Sequence, residues 1–266
     1  MNVLLIIDPQ NDFCRPADEN GENKGALYVP GADDDMKRLA FWTIANAEKI
    51  DHIVVTLDTH HLNDISHPGF WTDKNNKTPQ PFTKITLEDI ENEIWIPMIE
   101  KERVKLYFER LKEQKEYDHI IWPEHCLVGS EGAAIYKPIL DSINTWARRG
   151  RFFQPVFKGE YPLSEHFGAF AAQVAFDDIP DTQVNAALID ELGQFDNIFL
   201  GGEAKSHCVA NTVKQLIDFA PGIVSKLRIF KDAMSSVPGF ENLADNIYAQ
   251  AEQLGATFIS TAEMIE

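Results

Sequence analysis

The chain has 266 residues, of which 44% are hydrophobic and 11% aromatic, enough to bury a core without disulfide or metal staples. Its 42 acidic and 24 basic residues give a formal charge of -18, and no Lys/Arg-rich stripe is present, so we expect no nucleic-acid partner. The apolar runs are far shorter than the roughly 20 residues of a membrane-spanning helix, and the N-terminus lacks a basic signal segment. We therefore expect a cytoplasmic protein without a membrane partner.

Short segments rich in β-branched or aromatic residues alternate with segments of helical periodicity along the chain. The predicted strands are Asn2–Ile7, His52–Leu57, Asp118–Trp122, Phe152–Phe157, Asn197–Leu200, Leu227–Phe230 and Thr257–Ser260. Helices are predicted over Asp33–Lys49, Val209–Phe219 and Leu243–Leu254, and Gly255 stands where a helix end favours glycine. This alternation predicts an α/β fold in which a mostly parallel central sheet carries helices on both faces.

One segment, from about Thr72 to Asp118, interrupts this alternation. It is polar and contains prolines, and it then continues into a Lys/Glu-rich amphipathic helix around Met98 to Lys115. We interpret the segment as an insertion into a single domain that spans residues 1–266. A charged helix of this kind usually presents a solvated face, and a lid over the binding pocket is the functional alternative.

Polar residues gather directly after the predicted strands, where open parallel sheets bind their ligands. Cys208 follows one strand and begins a helix, so backbone N–H groups and the helix dipole favour a thiolate and can stabilise an oxyanion. Asp8 ends an apolar strand and can exchange a proton, while Lys158 can hold both groups in the correct ionisation state. The alternatives are a packed cysteine, a turn-forming aspartate and a surface lysine.

A second group of residues has the composition of a metal site. Asp58, His60 and His125 offer one carboxylate and two imidazoles, which suit zinc, iron or manganese and leave positions open for water or substrate. His67 is a candidate fourth ligand, whereas His61 points away from His60 if the chain stays extended there. A D-x-H string alone occurs often by chance, so the prediction depends on the histidine that follows a neighbouring strand.

Five runs, VLLIIDPQNDFC, LDTHH, WPEHC, FKG and GGEAKSHCVANT, resemble the nicotinamidases among the isochorismatase-like cysteine hydrolases, in the same order and with similar spacing. The resemblance covers the core of the chain and leaves the insertion outside. It implies an isochorismatase-like three-layer α/β/α fold and a cis peptide at Glu203-Ala204. It also implies the following site residues: the triad Asp8, Lys158 and Cys208, the oxyanion hole of Ala204 and Cys208, the ring contacts Phe13 and Trp122, and the metal ligands Asp58, His60 and His125.

The activity that the resemblance implies is metal-assisted hydrolysis of nicotinamide to nicotinate and ammonia through a thioester, with one divalent ion, zinc before iron or manganese. The sequence departs from the family near Cys208, because Glu203 and Lys205 stand where small or apolar residues are usual. Another small amide or carbamoyl compound is therefore the alternative substrate, and a catalytically silent binding module is a third hypothesis. The sequence leaves open whether the chain forms a homo-oligomer.

Overall fold

The computed structural model describes residues 1–114 and 117–265. Its strands are β1 Asn2–Ile7, β2 His52–Asp58, β3 Trp71–Thr72, β4 Lys84–Ile85, β5 Ile96–Pro97, β6 His119–Ile120, β7 Gln154–Lys158, β8 Asn197–Gly202, β9 Leu227–Phe230 and β10 Thr257–Ile259. Its α-helices are α1 Asn11–Cys14, α2 Ala32–Ala45, α3 Leu87–Glu91, α4 Lys101–Gln114, α5 Lys137–Ala147, α6 Ala186–Leu192, α7 Ala210–Phe219 and α8 Asp245–Gln253.

Six of these strands form a central sheet in which every pair is parallel, in the order β10-β9-β8-β1-β2-β7. The predicted α/β fold is confirmed. β1 lies in the middle, and its residues after Asn2 are fully buried, which is why they form a continuous apolar run rather than an alternating pattern. The chain winds outward from β1 to β7 and then restarts at β8 in the other direction. Right-handed crossovers therefore place α2 and α5 on one face and α7 and α8 on the other.

The crevice between β1 and β8 is the point at which the strand order reverses, where sheets of this kind bind ligands. Because all six strands are parallel, their carboxyl ends lie along one edge of the sheet. Asp8 follows β1 directly, Asp58 ends β2, Lys158 ends β7 and Gly202 ends β8. The topology therefore brings the predicted triad strands to a single edge.

The predicted strand Asp118–Trp122 does not join the central sheet, so this prediction was wrong. Only His119–Ile120 is extended, and it pairs antiparallel with Lys84–Ile85 of the insertion. The physical reason is tertiary, because Ile121 packs into a second hydrophobic cluster with α4 rather than against β2. His125 therefore reaches the site from a loop and not from the end of a neighbouring strand.

The predicted insertion helix is present as α4, although its predicted last residue, Lys115, lies outside the described residues. Its apolar face packs into the second cluster, which also includes Ile65 and Leu163 from the loops after β2 and β7. We propose on this ground that residues 1–266 form one domain. No helix in the described ranges is both long and apolar enough to cross a membrane.

Candidate functional site

The structure brings the three residues of the predicted triad together. Lys158 Nζ lies 2.9 Å from Asp8 Oδ2 and 3.8 Å from Cys208 Sγ. The same ammonium lies 2.9 Å from Asp58 Oδ1 and donates a hydrogen bond to the His166 carbonyl, also at 2.9 Å. All three triad side chains are buried, and Cys208 is the most exposed of them at 6%.

Burial controls the protonation of this cluster. It raises the pKa of Cys208 well above that of a free thiol, and the nearby Lys158 charge offsets only part of this effect. It also raises the pKa of Asp8, against the lowering effects of Lys158 and of a 2.6 Å hydrogen bond donated by Thr56. The pKa of Lys158, which burial alone would lower, is instead raised well above its usual value by Asp58 and Asp8. The resting site therefore favours a neutral Cys208 thiol, although the helix terminus alone favours a thiolate.

The segment that carries Cys208 has the predicted cis peptide at Glu203-Ala204. A π-helical turn, Lys205–Val209, then leads into α7. The Ala204 carbonyl accepts hydrogen bonds from the N–H groups of the two turn residues His207 and Val209, at 3.0 and 3.2 Å. Its own N–H donates to no acceptor in the described part of the chain. Ala204 and Cys208 line the same cavity.

The three predicted metal ligands also converge. One ligand atom each from Asp58, His60 and His125 lies within 4.8 Å of the others, and all three residues are buried. Asp58 Oδ2 is 3.1 Å from His60 Nε2 and 3.5 Å from His125 Nε2. Burial would raise the pKa of Asp58, but Lys158 and His60 hold it well below the usual range, so the group is a carboxylate. One oxygen and two nitrogens fit a divalent transition-metal ion.

The other ring nitrogen of each ligand histidine has a partner that fixes the ring. His60 Nδ1 lies 3.0 Å from Asp64 Oδ2, and His125 Nδ1 donates to the Pro123 carbonyl at 2.8 Å. Partners of this kind orient imidazole ligands and leave Nε2 free to bind a metal. The arrangement therefore fits an ion bound between Asp58 and the two Nε2 atoms.

His67 is buried next to these histidines but lies outside the group of three. Its Nε2 is 3.4 Å from His125 Nδ1, on the side of that ring away from Asp58. Burial and the neighbouring histidines lower the pKa of His67 to about 3, so its ring is neutral. Its role as a fourth ligand stays a prediction. His61 is exposed, whereas His60 is buried.

A cavity opens between the triad and the metal ligands. Its volume is about 30 Å³. Its walls are largely apolar, and the lining residues are Phe13, Leu27, Asp58, Trp122, His125, Glu165, Phe167, Ala204, His207, Cys208 and Val237. The predicted ring contacts Phe13 and Trp122 are thus both in its wall, which suits a flat aromatic ligand.

Glu165 is a lining residue that the sequence analysis missed. It is 5% exposed, and burial raises its pKa to about 8, so its carboxyl is largely protonated at neutral pH. Its Oε2 has no hydrogen-bond partner among residues 1–114 and 117–265. A glutamate in a loop gives no sign in the sequence that it is buried, and only its position seven residues after Lys158 could have drawn attention to it.

His207 is a second lining residue that was missed. The Val237 N–H donates to Ser206 Oγ at 3.0 Å, and the Ser206 hydroxyl lies 2.9 Å from His207 Nδ1. No other acceptor is described for that hydroxyl, so it donates to Nδ1 and leaves the ring proton on Nε2. Burial lowers the pKa of His207 to about 4, so the ring is a neutral donor in the cavity wall. The sequence signal for His207 was its position directly before Cys208 in the run Ser206-His207-Cys208.

No protein-family model matches the chain. The nicotinamidase of Saccharomyces cerevisiae is 25% identical over 213 residues, which are 80% of this chain and 79% of that protein. The solved yeast nicotinamidase bound to the inhibitor nicotinaldehyde has a TM-score of 0.65 and 18% identity, covering 98% of this chain and 100% of that one. A pyrazinamidase of Pyrococcus horikoshii in complex with zinc has a TM-score of 0.52 and 16% identity, covering 97% and 98%. The chain therefore has the isochorismatase-like fold and is similar to the nicotinamidases within it.

Proposed function

We propose that this chain is a metal-assisted cysteine amidohydrolase that converts nicotinamide to nicotinate and ammonia. The observation that carries the proposal is that Cys208, Ala204, Asp58 and His125 line one cavity, with Asp8 and Lys158 in contact behind them. The similarity to a nicotinamidase, and the fold shared with a nicotinamidase bound to nicotinaldehyde, support the choice of substrate.

Asp8 acts as both base and acid in this mechanism. It takes the proton of the Cys208 thiol, and the sulfur attacks the carboxamide carbon. The N–H groups of Ala204 and Cys208 stabilise the oxyanion. Asp8 then delivers the proton to the departing nitrogen, ammonia leaves, and a water deprotonated by Asp8 hydrolyses the thioester to the acid. Lys158 keeps Asp8 and the developing thiolate charge paired throughout.

Asp58, His60 and His125 would hold the metal ion. A bound divalent ion supplies a Lewis acid for the ring nitrogen and for water beside the cavity. The ligand set of one oxygen and two nitrogens, together with the zinc-bound pyrazinamidase of the same fold, makes zinc the first choice, with iron and manganese as the alternatives. His67 is a candidate fourth ligand.

The test is ammonia release by purified protein from nicotinamide and a panel of small amides, before and after chelation, with zinc, iron or manganese added back. Rapid release from nicotinamide that requires metal would support substrate and site together. Release only from another amide would retain the chemistry and reject the substrate. No release from any amide, together with no alkylation of Cys208 at neutral pH, would favour a silent binding module.

One observation favours testing a second substrate class. His207 and Glu165 add a neutral donor and a protonated carboxyl to the cavity wall. These groups can bind ring amides that carry a further hydrogen-bond acceptor, such as pyrazinamide, so the panel includes a diazine carboxamide and a carbamoyl compound.

We retain the cytoplasmic location as a prediction, and cell fractionation tests it. Light scattering tests whether the chain forms a homo-oligomer, which the sequence leaves open.

A further inference from the structure

Glu203 is a buried carboxyl beside the oxyanion hole that the proposed chemistry does not use. Its side chain is fully buried, and it immediately precedes Ala204. Its Oε2 accepts a hydrogen bond from the Ser235 N–H at 3.1 Å, whereas its Oε1 has no donor within the parts of the chain that are described. A buried carboxylate oxygen without a donor is costly, so the group must satisfy this atom in another way.

Ser235 also links Glu203 to Asp35 of α2, because the Ser235 hydroxyl donates a hydrogen bond to Asp35 Oδ2 at 2.5 Å. Asp35 accepts a second hydrogen bond from Arg38. Burial raises the pKa of Glu203 well above its usual range and the nearby Asp35 raises it further, so Glu203 favours its protonated form.

Ser235 connects the carboxyl pair to both sides of Ala204. On one side its N–H donates to Glu203, and on the other its carbonyl accepts the Lys205 N–H at 2.8 Å. The Lys205 carbonyl in turn accepts a hydrogen bond from the Tyr248 hydroxyl at 2.7 Å. The residues before and after Ala204 are therefore both held to the same serine, which restricts the direction of the Ala204 N–H.

We propose that Glu203, hydrogen-bonded to Ser235, is a positioning residue that aims the Ala204 N–H at the reacting carbonyl oxygen. Glu203 does not line the cavity and acts through Ala204, so it is not a catalytic residue. The inference rests on the proposed function for the role of Ala204. The proposal gives a role to Glu203, a charged residue at a position where small or apolar residues are usual in the family.

Two substitutions separate positioning from bulk. Glu203→Gln keeps the shape, and its amide can donate to Asp35 while its carbonyl accepts from Ser235, so we expect a kcat within about twofold of the parent. Glu203→Leu fills similar space without these bonds, so we expect kcat to fall about tenfold to a hundredfold, toward the loss seen when an oxyanion donor is removed, with KM nearly unchanged. Metal content and thermal unfolding of each variant identify any protein that has not folded.

A pyridine aldehyde supplies a readout that does not require amide turnover, since its adduct with the thiol places an oxygen where the oxyanion forms. We expect Glu203→Leu to weaken aldehyde binding by the same factor as kcat, with nicotinate binding unchanged. If the parent binds the aldehyde but hydrolyses no nicotinamide, the proposed substrate fails while this comparison still stands. Full activity in Glu203→Leu, equal losses in Glu203→Leu and Glu203→Gln, or unchanged aldehyde binding would each overturn the positioning role.

The pH profile tests the protonated form. The charged and titratable groups that face Glu203 are Asp35 and Arg38 of α2, Cys14 of α1 and Tyr248 of α8. Ionisation of Glu203 at high pH would place a second negative charge beside Asp35, so we expect kcat of the parent to fall there. Glu203→Gln cannot ionise and should keep its plateau to higher pH. Superimposable high-pH limbs for the two proteins would overturn the assignment of the proton to Glu203.

Discussion

The triad and the metal ligands lie on two sides of one cavity, but different parts of the fold hold them. Asp8 and Lys158 stand directly at the carboxyl ends of β1 and β7, so the central sheet fixes their positions. Of the three candidate metal ligands, Asp58 ends β2, whereas His60 and His125 stand in loops beyond the sheet. The loop after His60 and the segment before His125 pack, through Ile65 and Ile121, on the second hydrophobic cluster that the insertion completes.

This difference divides the site into a sheet half, which contains the triad, and a loop half, which contains His60 and His125. Backbone hydrogen bonds between neighbouring strands define a strand end, whereas a loop depends on the side chains packed beneath it. Lys158 joins the halves, because its ammonium contacts both Asp8 and Asp58. We therefore expect substitutions in the sheet half to affect chemistry, those in the loop half to affect metal affinity, and those at Lys158 to affect both.

The largest expected effect is on the sheet half. Cys208→Ala removes the nucleophile, so we expect amide hydrolysis to fall by about 10³-fold or more while zinc still binds. Steady-state ammonia release and metal titration measure the two quantities. Cys14→Ala is the matched control, since it removes a buried thiol outside the cavity and should leave kcat nearly unchanged. Retained turnover in Cys208→Ala would show that another group is the nucleophile.

Substitution of Lys158, which links the two halves, should lower the free energy of unfolding the most. Lys158→Met leaves two buried carboxylates without their cation, so we expect the free energy of unfolding at neutral pH to fall by about 3–5 kcal/mol. Asp58, whose pKa Lys158 holds well below its usual range, stabilises the fold above the unfolded pKa of about 4, and this is lost as the pH falls.

The difference in unfolding free energy between the parent and Lys158→Met should therefore be largest at neutral pH and shrink below about pH 4. Denaturant titrations at several pH values provide the measurement. The exposed Lys137→Met, which removes only a surface pair with Asp141, is the control and should change little at any pH. A pH-independent difference for Lys158→Met would mean that the lysine contributes packing rather than charge.

The same division explains what the sequence could predict. The strand ends followed from apolar runs and turn residues, so Asp8, Asp58 and Lys158 were placed together by the parallel order of the sheet alone. The strand predicted over Asp118–Trp122 was wrong, because its residues fit a strand equally well whether they pair with β2 or with the insertion. His125 reached the metal group through a sequence motif, not through a correct account of its support.

Protonation and burial in loops were the other limit. The sequence shows Glu165, His207 and Glu203 as polar residues, but their effects depend on side chains far away in the chain that remove water from them. The helix that starts after Cys208 predicted a thiolate, whereas burial favours the thiol. A sequence pattern predicts the electrostatic effect of a nearby helix terminus. It does not predict desolvation, which depends on how the whole chain folds around the group.

The metal affinity of the loop half should depend on pH through His60. Burial would lower the pKa of His60, but Asp58 and Asp64 raise it well above its usual value, so a proton competes with metal for Nε2. Metal binding must release that proton, and we expect zinc affinity to fall as the pH is lowered. Competition with a chromophoric chelator between pH 5 and pH 8 measures this, with His61→Asn as a control that should behave like the parent. A zinc affinity that does not change with pH would exclude His60 as a ligand.

The substitution with the smallest expected effect tests whether the insertion supports only the loop half. Val104 of α4 is fully buried in the second cluster, so Val104→Ala should lower the free energy of unfolding by about 1–3 kcal/mol through lost burial and a small cavity. We expect the metal concentration that gives half-maximal activity to rise about two- to threefold, while kcat at saturating metal stays unchanged, because the strand ends do not rest on this cluster. Leu106→Ala, on the more exposed side of the same helix, is the control and should alter neither quantity appreciably. A lower kcat for Val104→Ala at saturating metal would mean that the insertion also positions the triad, and that the two halves act as one unit.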